Sequence, residues 1–497
     1  MRRSFAEVRL DLVAAGNQPG AGSDQHSVTL QLNNDPASEP PAPAVATHRR
    51  GALRPLLWRL HFLGGFLAAP VVLSLAVTGI LFAWNPQIQT ALHRDALTAT
   101  ASGLARPLSE LVAVARETHP GWTVATVVPA VDGAEQTTAV TLSPPGASGA
   151  EFGPAPGSVT AYVDPASARV TGEITEERRP GEWLRSLHSS WRLGPIAEPI
   201  TELAASWVLV SLLTGVYLWW PRTRRALQRA LRPRLHGPGR GRWRWVHSSI
   251  GMVLLVPLLV LIGSGLSWTT YAGAWIDLAR AQLDSATPAV ATSTDSSGGA
   301  LVHEHHSGHG ADGGAAVDVT AGIDRVAAAA IRAGLAGPVA ITPASTDGEA
   351  WTVARQDSRW PVELNTVAVD PSTGAIVDRV SWVDYPLLAK ATTLGIAFHE
   401  AELFGLANQI GLTALTTGLI VLIMAGYRMW WLRRPAGGLG APPRLGPLLR
   451  RAPITVLIAF GLLLILLPTL GAAFLLFLVL EHIARGVRDR RAARHEV

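Results

Sequence analysis

Residues 188–220 decide the fold, and they read HSSWRLGPIAEPITELAASWVLVSLLTGVYLWW. A histidine opens the stretch, a mainly apolar run (202–220) follows, and two tryptophans end it. A helix of about this length crosses the roughly 30 Å hydrocarbon core of a bilayer, and tryptophan is enriched at membrane–water interfaces. The stretch therefore predicts a membrane span with a histidine ahead of its first turn and tryptophan anchors at its far end.

Four further apolar runs have similar lengths. They cover residues 62–84, 248–271, 407–431 and 453–480. Charged residues make up only 16% of the chain, against roughly 25% in average soluble proteins. We therefore expect an α-helical integral membrane protein with a four-helix core and a fifth hydrophobic segment. Because Pro468 lies mid-way in the last run, that run either crosses once or forms a bent hairpin, and its length favours one crossing.

The loop at 221–245 orients these spans. It holds nine arginines and no acidic residue, and short cytoplasmic loops carry an excess of basic residues. The loop is therefore predicted to be cytoplasmic, which places the N-terminus inside and the connections at 85–200 and 272–400 outside the cytoplasmic (inner) membrane. Since topology accounts for the basic charge, no nucleic-acid partner is expected.

An internal repeat relates the two halves of the chain. When His188 is placed on His399 and the chain is read on without a gap, the further matches are Gly194 with Gly405, Gly215 with Gly426, and Trp219-Trp220 with Trp430-Trp431. When His61 is placed on His247 in the same way, Gly65 falls on Gly251 and Gly79 on Gly265. Both copies begin on the same side, so we expect parallel repeats related by an axis along the membrane normal.

The two outer connections also share a pattern. VDPASARV at 163–170 is similar to VDPSTGAIV at 369–377, and Asp-Pro followed by small polar residues between β-rich flanks indicates a hairpin. A helical stretch precedes each copy, at 108–118 and 323–333. Each connection is therefore predicted to form a small α+β domain, with one helix packed on an antiparallel sheet.

Four histidines lie at two depths. His61 and His247 open spans that start inside, whereas His188 and His399 precede spans that start outside. The repeat axis pairs His61 with His247, and His188 with His399. Two facing imidazoles are the axial ligands of a six-coordinate b-type haem, so we expect two non-covalent, bis-histidine haems. A lone interfacial histidine is often only a hydrogen-bonded polar residue, but ionisable groups within spans are costly and usually functional.

The residues around the histidines limit the redox chemistry. Adjoining glycines are expected to let a flat macrocycle approach the backbone; they are Gly64, Gly65, Gly194, Gly251 and Gly405. The chain has no cysteine, which excludes Cys-ligated iron–sulfur clusters and covalent c-type haem. It also lacks nucleotide-binding and hydrolase motifs, so we expect a membrane quinol or another protein to donate electrons.

A separate histidine cluster lies in the second outer connection. Residues 303–309 read HEHHSGH and include His303, His305, His306 and His309. Histidines this closely spaced can bind Cu²⁺, Ni²⁺ or Zn²⁺. A flexible His-rich linker can equally lack a specific ligand, and both interpretations stay open at this point.

The chain resembles the PepSY-associated transmembrane helix family, also called iron-regulated or iron-uptake membrane proteins. The resemblance covers residues from about 55 to 435 and rests on WRLH at 58–61, LH at 187–188 with GVYLWWP at 215–221, VH at 246–247 with GLSW at 265–268, and HEAELFGLANQ at 399–409 with WWLRRP at 430–435. It implies outer PepSY domains and a di-haem membrane reductase of ferric siderophores. The family's four haem-ligand histidines fall on His61, His188, His247 and His399.

The resemblance and the spans together predict an order of segments. They are a disordered cytoplasmic tail (1–54), a first span (55–84), a PepSY-like domain (85–187), a second span with its histidine segment (188–220), a basic cytoplasmic loop (221–246), a third span (247–271), a flexible His-rich linker (272–320), a second PepSY-like domain (321–398), a fourth span with its histidine segment (399–432), a cytoplasmic loop (433–452), the fifth segment (453–480) and a basic tail (481–497).

These observations predict a di-haem electron-transfer protein of the lipid bilayer that reduces ferric siderophores or chelates at the outer face for iron uptake. Reducing Fe³⁺ weakens its binding to hard oxygen donors, so a ferric reductase needs no catalytic acid, base or nucleophile. Two alternatives stay open. Because PepSY domains are also associated with restraining peptidases, the chain could be a non-redox, membrane-anchored partner-binding or regulatory protein. It could also be a copper- or metal-acquisition accessory that uses the His-rich linker, a feature that departs from the family pattern.

Overall fold

The computed structural model describes residues 53–131, 135–147, 154–221, 223–225, 228, 239–293, 318–335, 337–434 and 445–495. These residues belong to one compact unit, His48–Val497. Nearly all of the predicted cytoplasmic tail and residues 294–317 of the predicted linker lie outside them.

Four helices form the predicted spans. In chain order, the helices of the described residues are α1 (Leu53–Ala83), α2 (Asn85–Leu92), α3 (Arg94–Leu97), α4 (Leu108–Thr118), α5 (Pro180–Ser190), α6 (Glu198–Trp219), α7 (Arg240–Leu266), α8 (Thr270–Gln282), α9 (Val319–Arg332), α10 (Leu387–His399), α11 (Leu406–Trp431), α12 (Leu445–Arg451), α13 (Ile454–Leu466) and α14 (Pro468–His495). Helices α1, α6, α7 and α11 are each long and apolar enough to cross a membrane, which confirms the first four predicted spans.

The spans pack through small and aliphatic side chains. Ala204 of α6, Leu258 of α7 and Leu419 of α11 are buried in one shared cluster. Gly418 of α11 lets α7 come close, since a Cβ at this position would stand 2.9 Å from a methyl of Leu254. Small residues at such contacts allow the close backbone approach on which helix association in lipid depends.

The connections between the spans form the strands. They are β1 (Thr123–Val128), β2 (Thr138–Ser143), β3 (Val159–Val163), β4 (Val170–Thr175), β5 (Val339–Thr342), β6 (Trp351–Arg355), β7 (Thr366–Val369) and β8 (Ile376–Val380). Neighbouring strands are antiparallel, and their order across the sheet is β4-β3-β2-β1-β5-β6-β7-β8. The two predicted hairpins are β3–β4 and β7–β8.

The two halves share one sheet and one core, whereas the sequence predicts two separate small domains. Each half has the expected helix on four antiparallel strands, α4 on the first and α9 on the second. Strands β1 and β5 also pair edge to edge through the fully buried Val127 and Ile341. These residues are equivalent, since each lies two positions before a Pro-Ala dipeptide. Pairing satisfies backbone groups that two separate sheets would leave unpaired at an edge.

The sheet connects to one end of the bundle. Helix α5 follows β4 and leads into α6, and α10 follows β8 and leads into α11. We call this end the sheet side. The opposite end, where residues 220–239 join α6 to α7, is the loop side.

The hydrophobic segment at 453–480 forms two helices, α13 and α14, which are bent by 118° at the break between them. Thr469, at the start of α14, donates a 3.0 Å hydrogen bond to Glu202 near the sheet-side end of α6. Further along α14, Glu481 acts electrostatically on Arg59 near the loop-side end of α1. Helix α14 therefore runs back from the sheet side to the loop side. These contacts favour the bent hairpin over the single crossing that the length of the run favours.

Candidate cofactor site

The four predicted histidines meet in two pairs between the spans. His61 of α1 and His247 of α7 have ring centroids 5.9 Å apart and ring planes at 88°. His188 at the end of α5 and His399 at the end of α10 have centroids 6.4 Å apart and planes at 76°. The first pair lies on the loop side and the second on the sheet side. The structure thus brings together the pairs that the repeat axis predicts.

The two pairs are well separated along the helices. On α1, Gly79 contacts His188 of the sheet-side pair, whereas His61 belongs to the loop-side pair. The segment from His61 to Gly79 covers about five helical turns, or about 27 Å along the helix. The equivalent residues of α7, His247 and Gly265, have the same spacing. The pairs therefore lie toward opposite faces of a hydrocarbon core roughly 30 Å thick.

Each ring forms a hydrogen bond with a backbone carbonyl of a neighbouring span, and in His61, His247 and His399 the donor atom is Nδ1. The acceptors are Ser211 for His61 (3.0 Å), Leu75 for His188, Leu422 for His247 (2.9 Å) and Leu261 for His399 (3.1 Å). A carbonyl oxygen only accepts, so Nδ1 carries the proton in these three rings. The lone pair of Nε2 is then available to a metal ion.

A glycine packs against the edge of each ring. A built Cβ would stand 3.2 Å from Cε1 of His188 at Gly79, 3.2 Å from that of His61 at Gly215, 2.9 Å from that of His399 at Gly265, and 3.6 Å from that of His247 at Gly426. The carbonyl that accepts from the ring lies four positions before its glycine in every case. One helical turn therefore supplies both the room for the imidazole edge and the acceptor for its Nδ1.

A cavity of about 1130 Å³ surrounds the loop-side pair. Aliphatic and aromatic side chains line most of it, among them Trp58, Phe62, Phe66, Leu212, Met252, Leu419 and Ile423. The loop-side ends of the spans add four arginines, Arg54, Arg240, Arg244 and Arg433. The cavity is therefore apolar around the imidazoles and cationic at one end, which suits a flat apolar ligand with an anionic edge.

The glycines predicted to face a macrocycle fall into two groups. Gly64, Gly65 and Gly251 line the cavity, and Gly64 also lets α6 come close, since a built Cβ would stand 2.8 Å from a tryptophan ring of that helix. Gly194 and Gly405 have φ of +65° and +54° and serve the turns ahead of α6 and α11. Backbone conformation therefore accounts for these two. The glycines that contact the rings were visible in the sequence only as matched positions of the repeat.

The paired tryptophans differ within each pair. Trp220 and Trp431 are 63% and 52% exposed, and Arg434 stacks on Trp431 with its guanidinium carbon 3.6 Å from the ring centroid. This arrangement suits the predicted interface anchors. Trp219 and Trp430 instead line the cavity, so one tryptophan of each pair belongs to the site.

One acidic residue next to the sheet-side pair, Glu400, could not have been predicted from the sequence, because no motif or repeat match marks it. Glu400 follows His399 directly, and the position matched by the repeat is a serine. Burial, helped by the negative charge of Glu402, raises the pKa of Glu400 to about 7, although Arg185 acts in the opposite direction. A buried carboxyl group with a raised pKa therefore follows one of the sheet-side histidines directly in the chain.

The predicted metal-binding cluster of His303, His305, His306 and His309 lies outside the described residues. Within the ranges that the structure describes, no group of three or more His, Cys, Asp or Glu side chains is placed to hold a metal ion. The cluster therefore stays a prediction.

Two comparisons with known proteins bear on this arrangement. A family model described as the PepSY-associated TM region matches residues 58–433. This range includes the four histidines, the four glycines against them and the whole sheet. No curated protein matches the chain.

Proposed function

Because this chain belongs to the PepSY-associated transmembrane family and brings four histidines together in two pairs, we propose that it is a di-haem b-type electron-transfer protein. It is a multi-pass membrane protein. The observation that carries the proposal is the setting of the rings, with Nδ1 bonded to a carbonyl in His61, His247 and His399 and to the hydroxyl of Thr78 in His188, so that Nε2 is left available. Such a setting at two depths is what two bis-histidine haems require.

The residues present fit a haem iron at both pairs. An imidazole nitrogen binds a metal ion at about 2 Å, so two imidazoles on opposite sides of one iron have centroids about 6 Å apart. The observed centroid distances are 5.9 Å and 6.4 Å. His61 and His247 would hold one haem, and His188 and His399 the other. Since the chain has no cysteine, both haems would be non-covalent.

The cavity around the loop-side pair supports this assignment. Its apolar walls suit the porphyrin ring, and its arginines suit the two carboxylates at one porphyrin edge, because guanidinium groups form strong bonds with carboxylates. Arg54, Arg240 and Arg244 would then orient the haem with its carboxylates toward the loop side.

The bound haems supply reversible one-electron transfer. The chain's own residues hold the two sites about 27 Å apart along the spans and keep both between packed apolar helices. Electrons that enter on the loop side, from a membrane quinol or a protein donor, would leave on the sheet side.

We further propose that the sheet side is extracytoplasmic and that the acceptor is a ferric siderophore or another ferric chelate. The nine arginines at 221–245 support this orientation. The folded eight-stranded domain supports the acceptor, because a bulky chelate needs a folded surface next to the electron-donating site. One electron converts Fe³⁺ to Fe²⁺, which hard oxygen donors hold less tightly, so the Fe–O bonds can dissociate and release the iron while the covalent bonds of the chelator stay intact.

The experiment that tests the redox assignment is a visible absorption spectrum of the purified full chain from haem-replete cells. We expect a Soret band and, after reduction, an α-band that together correspond to two haems per chain. His61→Ala or His247→Ala should remove one haem, and His188→Ala or His399→Ala the other. His119→Ala is the matched control, because His119 packs against Trp122 in the sheet domain, away from both pairs. This variant should keep both haems. A haem-free wild-type protein would overturn the proposal.

The acceptor is tested separately. The protein is sealed in vesicles with the sheet side out, reduced without oxygen and mixed with ferric chelates. Reoxidation of the haems together with release of Fe²⁺ is expected. Haems that stay reduced with every ferric chelate but reoxidise with Cu²⁺ or a protein acceptor would exclude iron release as the reaction.

A further inference from the structure

The residue just before each ring-contacting glycine has a hydroxyl group at three of the four positions and none at the fourth. These residues are Thr78, Thr214, Ser264 and Ala425. Three of them place a hydroxyl oxygen against the Nδ1 of the facing ring, at 2.9 Å for Thr78 and His188, 3.2 Å for Thr214 and His61, and 3.1 Å for Ser264 and His399. The fourth is alanine and has no hydroxyl to offer to His247.

The three hydroxyl groups donate their protons in hydrogen bonds to carbonyls of their own helices. Thr214 donates to the carbonyl of Val210 at 2.7 Å, and Thr78 donates one turn back to Ser74 at 2.9 Å. Ser264 donates in the same way to Leu261 at 3.0 Å. Each hydroxyl oxygen therefore acts as an acceptor toward the ring. The Nδ1–H of His61 and of His399 has two acceptors, a hydroxyl and a carbonyl, and His188 bonds both the hydroxyl of Thr78 and the backbone of Leu75.

His247 is held more loosely by two independent measures. Among the described residues, the carbonyl of Leu422 at 2.9 Å is the one acceptor for its Nδ1. Its ring edge also stands further from its glycine: a built Cβ at Gly426 would be 3.6 Å away, whereas the other three glycines give 2.9–3.2 Å. The loop-side pair thus combines a doubly bonded His61 with a singly bonded His247.

We propose that the residue before each glycine sets the electron-donating strength of the facing histidine, and that Ala425 makes His247 the weakest donor of the four. This inference rests on the proposed haem function. Acceptors on Nδ1–H increase the basicity of the imidazole toward the metal, and a more basic ligand stabilises the ferric state and lowers the reduction potential. Thr78, Thr214 and Ser264 are therefore positioning residues that tune the two sites differently, with two hydroxyls on the sheet side and one on the loop side.

The test is a redox titration of the full-length protein, followed by visible absorption, together with electron paramagnetic resonance of the oxidised protein. Thr214→Val keeps the shape of the side chain but removes the acceptor, so the potential of the loop-side haem should rise. Thr214→Ser restores the hydroxyl and should return the potential toward the wild-type value. Ala425→Ser adds an acceptor by a single atom at a fully buried position and should lower the same potential.

The control is Thr413→Val, which removes a hydroxyl of α11 that bonds Trp84, away from the loop-side rings. It should leave the potential of the loop-side haem and its resonance signal unchanged. If both Thr214→Val and Ala425→Ser bind two haems at wild-type potentials, the inference is wrong while the haem function stands. If wild-type protein binds no haem, both fail. If Thr214→Val loses haem, its potential cannot be compared, and Ala425→Ser then decides. An unchanged loop-side potential in Ala425→Ser overturns the inference.

Discussion

Gly215 of α6 lies directly against the imidazole of His61 on α1, so closely that a Cβ at position 215 would stand 3.2 Å from the Cε1 of the ring. The same turn of α6 supplies the carbonyl of Ser211 that accepts from the ring's Nδ1. A contact of the same kind joins Gly79 of α1 to His188 at the end of α5. Each of the four spans therefore places one glycine against one of the four histidines, which explains why equivalent glycines recur in both repeats.

Alanine at these glycines should have unequal effects. Gly215→Ala and Gly265→Ala place a methyl at 3.2 Å and 2.9 Å from a ring carbon, which displaces the imidazole, so each should lower the haem content by up to one haem per chain. Gly426→Ala meets its ring at 3.6 Å, an ordinary contact distance, and should keep both haems. Haem content per purified chain measures the difference. Equal loss in all three variants would mean that the ring contact does not decide ligand placement.

Asp164 should stabilise the eight-stranded sheet domain in a pH-dependent way. Burial by itself raises the pKa of Asp164, but hydrogen bonds from four backbone N–H groups, those of Thr100, Ala101, Ala166 and Ser167, outweigh it and lower the pKa from 3.8 to about 2. A folded-state pKa below the unfolded one gives stability that is complete above about pH 4 and is lost as the pH falls toward 2.

Replacement by asparagine should remove that stability. Asp164→Asn is expected to cost about 2 kcal/mol at pH 7, and the difference from wild type should shrink between pH 4 and pH 2. Thermal unfolding in detergent at several pH values measures it. Asp347→Asn is the control, because Asp347 is exposed. A wild-type advantage that persists unchanged at pH 2 would contradict the ionised-carboxylate explanation.

Glu202 should secure the C-terminal hairpin to the bundle. This carboxylate is 1% exposed within α6 and accepts from the hydroxyl of Thr469 at 3.0 Å and from the backbone N–H of Tyr271 at 3.1 Å. Glu202→Ala leaves two partly buried donors without an acceptor, at about 1 kcal/mol each and at most about 3. We expect a lower unfolding temperature and easier proteolysis before α13.

Two variants sharpen this test. Glu202→Gln keeps one carbonyl acceptor and should be destabilised less than Glu202→Ala. Glu198→Ala removes a carboxylate one turn earlier, which accepts from Thr270 at a more exposed position, and should have a small effect. Equal unfolding temperatures for Glu198→Ala and Glu202→Ala would show that the buried contact contributes nothing.

Ile341 should couple the two halves of the eight-stranded sheet domain. It is fully buried in the core that both halves share and pairs with Val127 across the β1–β5 junction. Ile341→Ala should cost about 2–5 kcal/mol, as is typical for large-to-small changes in a core. Amide hydrogen exchange should then speed up in strands of both halves. Thr342→Ala, at the exposed neighbouring position, should change little, and exchange confined to β5–β8 would indicate two independent domains.

The depth of each functional residue could be predicted from the sequence. The length of an apolar run and the rise per residue of a helix place a histidine near one face of the membrane or the other. The two gapless alignments of the repeat state which histidines are equivalent. The family resemblance and the four spans followed from the same local signals, and the family match confirms that part.

Tertiary structure alone decided what lies around those residues. Which turn of which helix meets an imidazole depends on helix rotation and packing, so Gly215 and Gly426 were recognisable as a repeat but not as ring contacts. Strands β1 and β5 pair although they lie far apart in the chain. The residue pattern of a strand predicts which face is buried but not which other strand it pairs with. The return of α14 likewise depends on Glu202 and Thr469, two polar residues distant in sequence. Sequence periodicity reports which face of an element is apolar, but the partner of that face is set by long-range contacts.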